Sequence, residues 1–263
     1  MICNYKKALI LSMIILSLLL SCSKKVDNDP LITEADNIIN SYMNRSHSSE
    51  SNYKCLQITD AIVYPSPWTQ ETANTFSISK AKLKEMSTCG LIQTYLNQPW
   101  NLLGPWCTTC NNSTINGIDY FNDRIANNVI ATELFTRHDG IEKLLIRYIN
   151  YMQNLKSIVD KPGTLYSFEL LLACEQFNNK SNDIISDQLL ILAIKMIDIK
   201  KDYSEFKEIN SLAATRHIML NILLKSHSDL FSKEPLKVGM LGYEICYEDS
   251  KIEALTRQYL MNR

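Results

Sequence analysis

Glycine and proline are scarce in this chain, at seven of each among 263 residues. A turn-rich sandwich or barrel uses far more of both, so the shortage favours long helices. An excess of one charge sign is lacking as well: basic and acidic residues nearly balance, for a formal net charge of −1. No broad field is therefore present to attract nucleic acid or an acidic lipid surface. Long hydrophobic runs are also missing. The run from Ala8 to Leu20 covers 13 residues, whereas crossing a bilayer takes about 20. Complete catalytic signatures are absent too, with no Gly-rich phosphate loop, no Ser nucleophile elbow and no basic stripe.

What is present begins with an address. Lys6 and Lys7 close a short basic start, the apolar run follows, and small Ser21 directly precedes Cys22. These are the three parts of a secretory signal, and Leu19-Leu20-Ser21-Cys22 resembles a bacterial lipoprotein signal. The resemblance implies that the Cys22 thiol receives a diacylglyceryl group and that cleavage removes residues 1–21. One acyl chain anchors only marginally, while two or more give stable attachment, so the membrane is the expected partner through lipid on Cys22. Ser23 follows the cysteine where an inner-membrane protein of the enterobacterial type carries Asp. By that resemblance the expected address is the cell envelope, with the outer membrane favoured.

Residues 22–30 are polar and aperiodic, and they read as a tether. Residues 31–263 read as a single helical domain. Ala35, Ile38, Ile39, Tyr42 and Met43 share one helical face, with Thr33 as its expected N-cap. Short helices are expected from Ser79 to Met86, after Ser87-Thr88, around Ile118 to Ile125, and from Val129 to Arg137. Asp139 with Glu142 three residues on has the form of a capping box. The stripe behind it, Ile141, Leu144, Leu145, Tyr148, Ile149, Met152 and Leu155, has the spacing of one buried face. Pro162 opens another helix, and Ser211 or Asn210 a later one. Leu189 to Ile194 is apolar all round and marks the central buried helix. Ser250 with Glu253 caps a last helix. Leu241 to Tyr247 alternates with period two and suggests a strand, paired in a minor β-hairpin with the segment Cys55 to Tyr64. The expected fold class is mainly α, an irregular multi-helix bundle or a short α-solenoid-like array with that minor β element.

Two stretches carry a family resemblance. Met86-Ser87-Thr88 with Leu91 and Tyr95-Leu96-Asn97 before Pro99 is one; Glu133-Leu134-Phe135 with Arg137, Leu144-Leu145 and Tyr148 is the other. Over residues 60 to 155 they resemble a family of uncharacterised helical proteins, many of them lipoproteins, from Bacteroidetes and some clostridia. The resemblance implies an all-helical domain in a bacterial envelope and carries no activity with it.

Six cysteines remain after Cys3 and Cys22: Cys55, Cys89, Cys107, Cys110, Cys174 and Cys246. Export permits disulfides, and six cysteines allow fifteen connectivities that sequence does not choose between. Trp106-Cys107-Thr108-Thr109-Cys110 has the form of a thioredoxin-type redox run. The context opposes redox catalysis, since Pro99, Gly104 and Pro105 stand where an apolar strand is needed. A structural disulfide between Cys107 and Cys110, or two idle thiols, is the expected outcome, and thiol-disulfide oxidoreductase chemistry at that pair is the alternative function. Zinc is not expected, because one Cys pair and the scattered His47, His138, His217 and His227 do not make four ligands. His138-Asp139 lacks the partners of a metal phosphohydrolase, and Asp139 is accounted for as a cap.

Trp68, Trp100 and Trp106 each follow a proline. Stiff loops carrying aromatics suit sugar rings or partner proteins, although burial over helix ends is the commoner fate of tryptophan. Glu169 and Glu175 fall on the Pro162 helix without a partner that sequence reveals. The reading is a lipid-anchored, non-catalytic binding or interaction module with no cofactor and no metal. Its expected ligand is a protein or a carbohydrate contacted by Trp68, Trp100 and Trp106, with no role for nucleic acid.

Overall fold

The computed structural model describes residues 29–45, 55, 58–66, 69, 71–72, 76–99, 125–157, 162–208, 211–226 and 249–263. Among them the chain is mainly helical, in a multi-helix bundle. The helices are α1 (Pro30–Asn44), α2 (Lys80–Glu85), α3 (Thr88–Leu96), α4 (Val129–Thr136), α5 (Gly140–Gln153), α6 (Pro162–Ala173), α7 (Glu175–Lys180), α8 (Asp183–Lys201), α9 (Glu205–Glu208), α10 (Ser211–Ser226) and α11 (Asp249–Asn262).

Local chemistry accounts for most helix starts. Ser79, Ser87, Asn128 and Asn182 each accept a first-turn backbone N–H and so cap α2, α3, α4 and α8. α1 starts earlier than its Thr33 suggests. Asp29 is the cap, accepting the Leu31 N–H at 3.0 Å, and Pro30 fills the first turn, where its missing N–H costs nothing.

The core is organised around α8 and α10. Leu189, Leu190, Leu192, Ala193 and Met196 of α8 are fully buried, as are Ala214, Ile218, Met219 and Leu223 of α10. Each buried Leu, Ile or Met contributes about 1.5–3 kcal/mol relative to an exposed one. α10 packs on α6, α8 and α11, while α1 lies along α8. A second group, α2 to α5, joins through α3 and α5, whose Leu91, Leu144, Leu145 and Ile149 enter the same continuous core.

The segment expected to open a β-hairpin takes another form. Residues 58–64 make no strand, and side chains of α3 and its C-cap satisfy the Ile62 backbone instead. Its N–H donates to Thr94 Oγ1 at 2.8 Å, and its carbonyl accepts from Asn97 Nδ2 at 3.0 Å. The matching strand at Leu241 to Tyr247 lies outside the described residues. Among the described residues, no helix is long and apolar enough to cross a membrane.

Candidate functional site

Two helix starts, those of α3 and α5, meet beside the loop that carries Thr59 and Asp60. The Asp60 carboxylate lies across the first turn of α3. Oδ2 accepts the Ser87 N–H at 2.5 Å and Oδ1 accepts the Ser87 hydroxyl at 3.0 Å. A negative charge here is favoured by the unpaired amides of the helix end. Ser87 Oγ in turn accepts the Gly90 N–H at 2.9 Å. A Cβ on residue 90 would lie 2.2 Å from Asp60 Oδ1, so this approach depends on glycine.

Across the recess, Asp139 holds the N-cap position of α5 but does not cap it. Its backbone, at φ −98° and ψ 3°, departs from the extended form of a capping residue, and its side chain makes no hydrogen bond to the first-turn amides. The carboxylate accepts the Thr88 hydroxyl instead, at 2.6 Å. The expected capping box with Glu142 is therefore not made by Asp139. Arg137 fixes the neighbouring turn, donating to the Leu83 and Lys84 carbonyls at 2.9 and 3.0 Å and pairing with Glu133 at 3.0 Å.

Cys55 and Cys89 form a disulfide with Cα atoms 5.4 Å apart, resolving one of the bonds that sequence left open. Cys55 adopts a left-handed backbone, φ 54°, rare for a residue with a side chain. Arg147 also holds this loop, donating to the Cys55 carbonyl at 3.4 Å and to Gln93 Oε1 at 2.9 Å. The result is a polar cavity of about 390 Å³ lined by Thr59, Asp60, Ser87, Thr88, Asp139 and Lys143, with Cys89 also on its wall. Residues that carry two carboxylates, three hydroxyls and one ammonium line the same small volume.

A second polar cluster is sealed from solvent. Tyr148, Glu169, Lys200, Ser211 and Thr215 all have 0% exposure. Lys200 Nζ contacts Glu169 Oε2, and it lies 3.0 Å from the Ser211 carbonyl, 2.7 Å from Ser211 Oγ and 3.0 Å from Thr215 Oγ1. The Tyr148 and Thr215 hydroxyls each donate to Glu169 Oε1 at 2.9 Å. The cluster ties α5, α6, α8 and α10 together. Glu169 thus has the partner that sequence did not reveal. Lys200 carried one usable signal: it falls three and four residues after Ile197 and Met196, on the buried face of α8. Ser211 was marked only as a helix start, and nothing in the sequence pointed to Asp60 or Thr215.

Of the residues singled out earlier, Cys22, Trp68, Trp100, Trp106, Cys107 and Cys110 lie outside the described residues. Cys174 is a free, buried thiol whose sulfur accepts the Phe177 N–H at 3.4 Å and caps α7. Burial pushes it up to about 12, far from nucleophilic use near neutral pH. Among the described residues, no group of three or more His, Cys, Asp or Glu is placed to hold a metal ion.

Compared with protein-family models, with curated proteins and with solved structures, the chain matches none.

Proposed function

We propose that the protein is a lipid-anchored binding protein of the bacterial envelope and that the recess between α3 and α5 takes a small carbohydrate. The observation that carries the reading is the lining of this recess. A sugar presents several hydroxyls, each both donor and acceptor, and the cavity is lined by carboxylate residues Asp60 and Asp139, whose oxygens have further lone pairs, by hydroxyl residues Thr59, Ser87 and Thr88, and by Lys143. The volume suits a ligand of one or two rings, and its walls are held by a disulfide and two helix starts, so little ordering is needed on binding. The signal ending in Cys22 supports the anchored envelope address.

Saturation-transfer NMR against a panel of neutral and amino monosaccharides and disaccharides tests the site. At least one sugar should bind the wild type, and Asp139→Asn and Lys143→Ala should each weaken it about tenfold or more, the loss of one good hydrogen bond to a charged group. Absence of binding across the panel, or binding unchanged in both variants, removes the recess from consideration.

A further inference from the structure

Lys200 and Glu169 meet in a solvent-sealed part of the bundle, in an arrangement that distinguishes the two carboxyl oxygens. Oε1 takes two hydroxyl donors, from Tyr148 and Thr215, each at 2.9 Å. Oε2 faces the amine. One oxygen is therefore held as a polarised carbonyl and the other is left as a leaving group. The amine has four polar neighbours: Glu169 Oε2, the Ser211 carbonyl at 3.0 Å, Ser211 Oγ at 2.7 Å and Thr215 Oγ1 at 3.0 Å. An ammonium has three N–H donors and no lone pair. A neutral amine keeps two donors for the Ser211 and Thr215 oxygens and leaves its lone pair for the Glu169 carboxyl.

We propose that Lys200 and Glu169 condense to an isopeptide bond, a covalent cross-link between α8 and α6. Burial favours the reactive forms of both partners. It raises the Glu169 carboxyl above its ordinary range and lowers the Lys200 amine below its own, moving the pair toward neutral acid and neutral amine.

From that state Nζ attacks Cδ of Glu169, forming the Nζ–Cδ bond. The Tyr148 and Thr215 hydroxyls stabilise the charge that develops on Oε1, as donors of an oxyanion site do. The Cδ–Oε2 bond then breaks, and Oε2 departs as water with its own acid hydrogen and one hydrogen from Nζ. The step needs no oxidant, reductant or activated leaving group. In bulk water such an amide tends toward hydrolysis. Here the groups are held in contact, which in well-oriented systems corresponds to about 10⁵–10⁸ M of effective concentration, and the product water leaves an apolar core. The amide also removes the alternative of a buried ion pair, which repays its desolvation poorly.

Intact-mass spectrometry of the purified, folded full chain tests this, with reduction and denaturation immediately before measurement. The wild type should weigh about 18 Da less than its covalent sequence requires, the loss of one water. Proteolysis should release a branched peptide containing residues 169 and 200. Glu169→Gln should reach the same final mass, losing ammonia in place of water, and Lys200→Met should show neither the loss nor the branch. Tyr148→Phe should slow the appearance of the lighter species about tenfold or more. A wild-type protein that is helical by circular dichroism and keeps its full sequence mass after days at neutral pH overturns the proposal, whatever the variants do. So does a water loss that maps to any other pair of residues.

Discussion

Gly90 lacks a side chain at the place where a carboxylate must reach into the first turn of α3. Asp60 supplies that carboxylate from outside the helix, 27 residues before the Ser87 amide it accepts. In Gly90→Ala the new Cβ would stand 2.2 Å from Asp60 Oδ1, so Asp60 must withdraw and release Ser87. The expected cost is about 1–2 kcal/mol, the usual worth of a cap or a charged hydrogen bond. The mechanism has a sharper signature than its size. With Asp60→Ala already present, Gly90→Ala should cost nothing and can gain up to about 1 kcal/mol from the better helix propensity of alanine. Urea denaturation of the two single variants and the double variant measures this coupling. Additive losses would show that Gly90 matters for a reason other than Asp60. Glycine at 90 is plain in the sequence, but its reason is not, because the carboxylate arrives from another segment.

α10 shows what an element requires when it is buried on nearly every side. Residues 213 to 220 are all buried, including Thr215, Arg216 and His217, so polar groups here must be neutral or paired. Arg216 meets Glu253 of α11 through Nε at 3.1 Å and Nη2 at 2.8 Å. Desolvation lowers the His217 imidazole to about 4, and the folded helix holds it neutral. The unfolded chain binds that proton from about pH 6.5 downward. Between pH 6.5 and 4 the unfolded state therefore takes up more protons, so stability present above pH 6.5 is lost as pH falls. Wild type should lose about 3 kcal/mol more than His217→Gln across that window in denaturant titrations at stepped pH. Equal losses in the two proteins would contradict a neutral buried His217. The helix itself was readable from Leu212, Met219, Leu220 and Leu223, as were α5 from its stripe and α8 from its unbroken apolar centre. Those signals are local in spacing. Caps were less secure, since Asp29 displaced Thr33 and Asp139 turned to Thr88, both for reasons of backbone geometry and neighbouring structure.

At the scale of the whole molecule, the first and last described helices close on one another. Arg257 of α11 pairs with Asp29, and Arg263 pairs with both Glu34 and, at 3.0 Å, Asp187. Tyr259 donates to the same Asp187 at 2.8 Å. Exposed ion pairs contribute about 0–1 kcal/mol each, so Ile252 and Leu260, buried against the core, carry more of the docking. The start of α1 is thus fixed to the body of the protein. The proposed anchor at Cys22 precedes Asp29 by a short polar stretch, which would hold the bundle close to its membrane. Cys22→Ala should abolish metabolic labelling by radioactive palmitate and leave full-length precursor on immunoblots. Normal processing and labelling in that variant would refute the lipid anchor.

The sequence by itself determined the helical class and the position of most helices, because apolar periodicity, capping residues and the shortage of glycine and proline all act within a few residues. It could not decide which side chains would share a site. Glu169 meets Lys200 across 31 residues, Cys55 meets Cys89 across 34, and Asp60 reaches Ser87 across 27. Each meeting depends on how helices pack, and burial of a charge is a property of its surroundings rather than of its own segment. For that reason the recess and the sealed lysine–carboxyl pair, the two features that carry the chemistry proposed for this protein, became visible only in the tertiary structure.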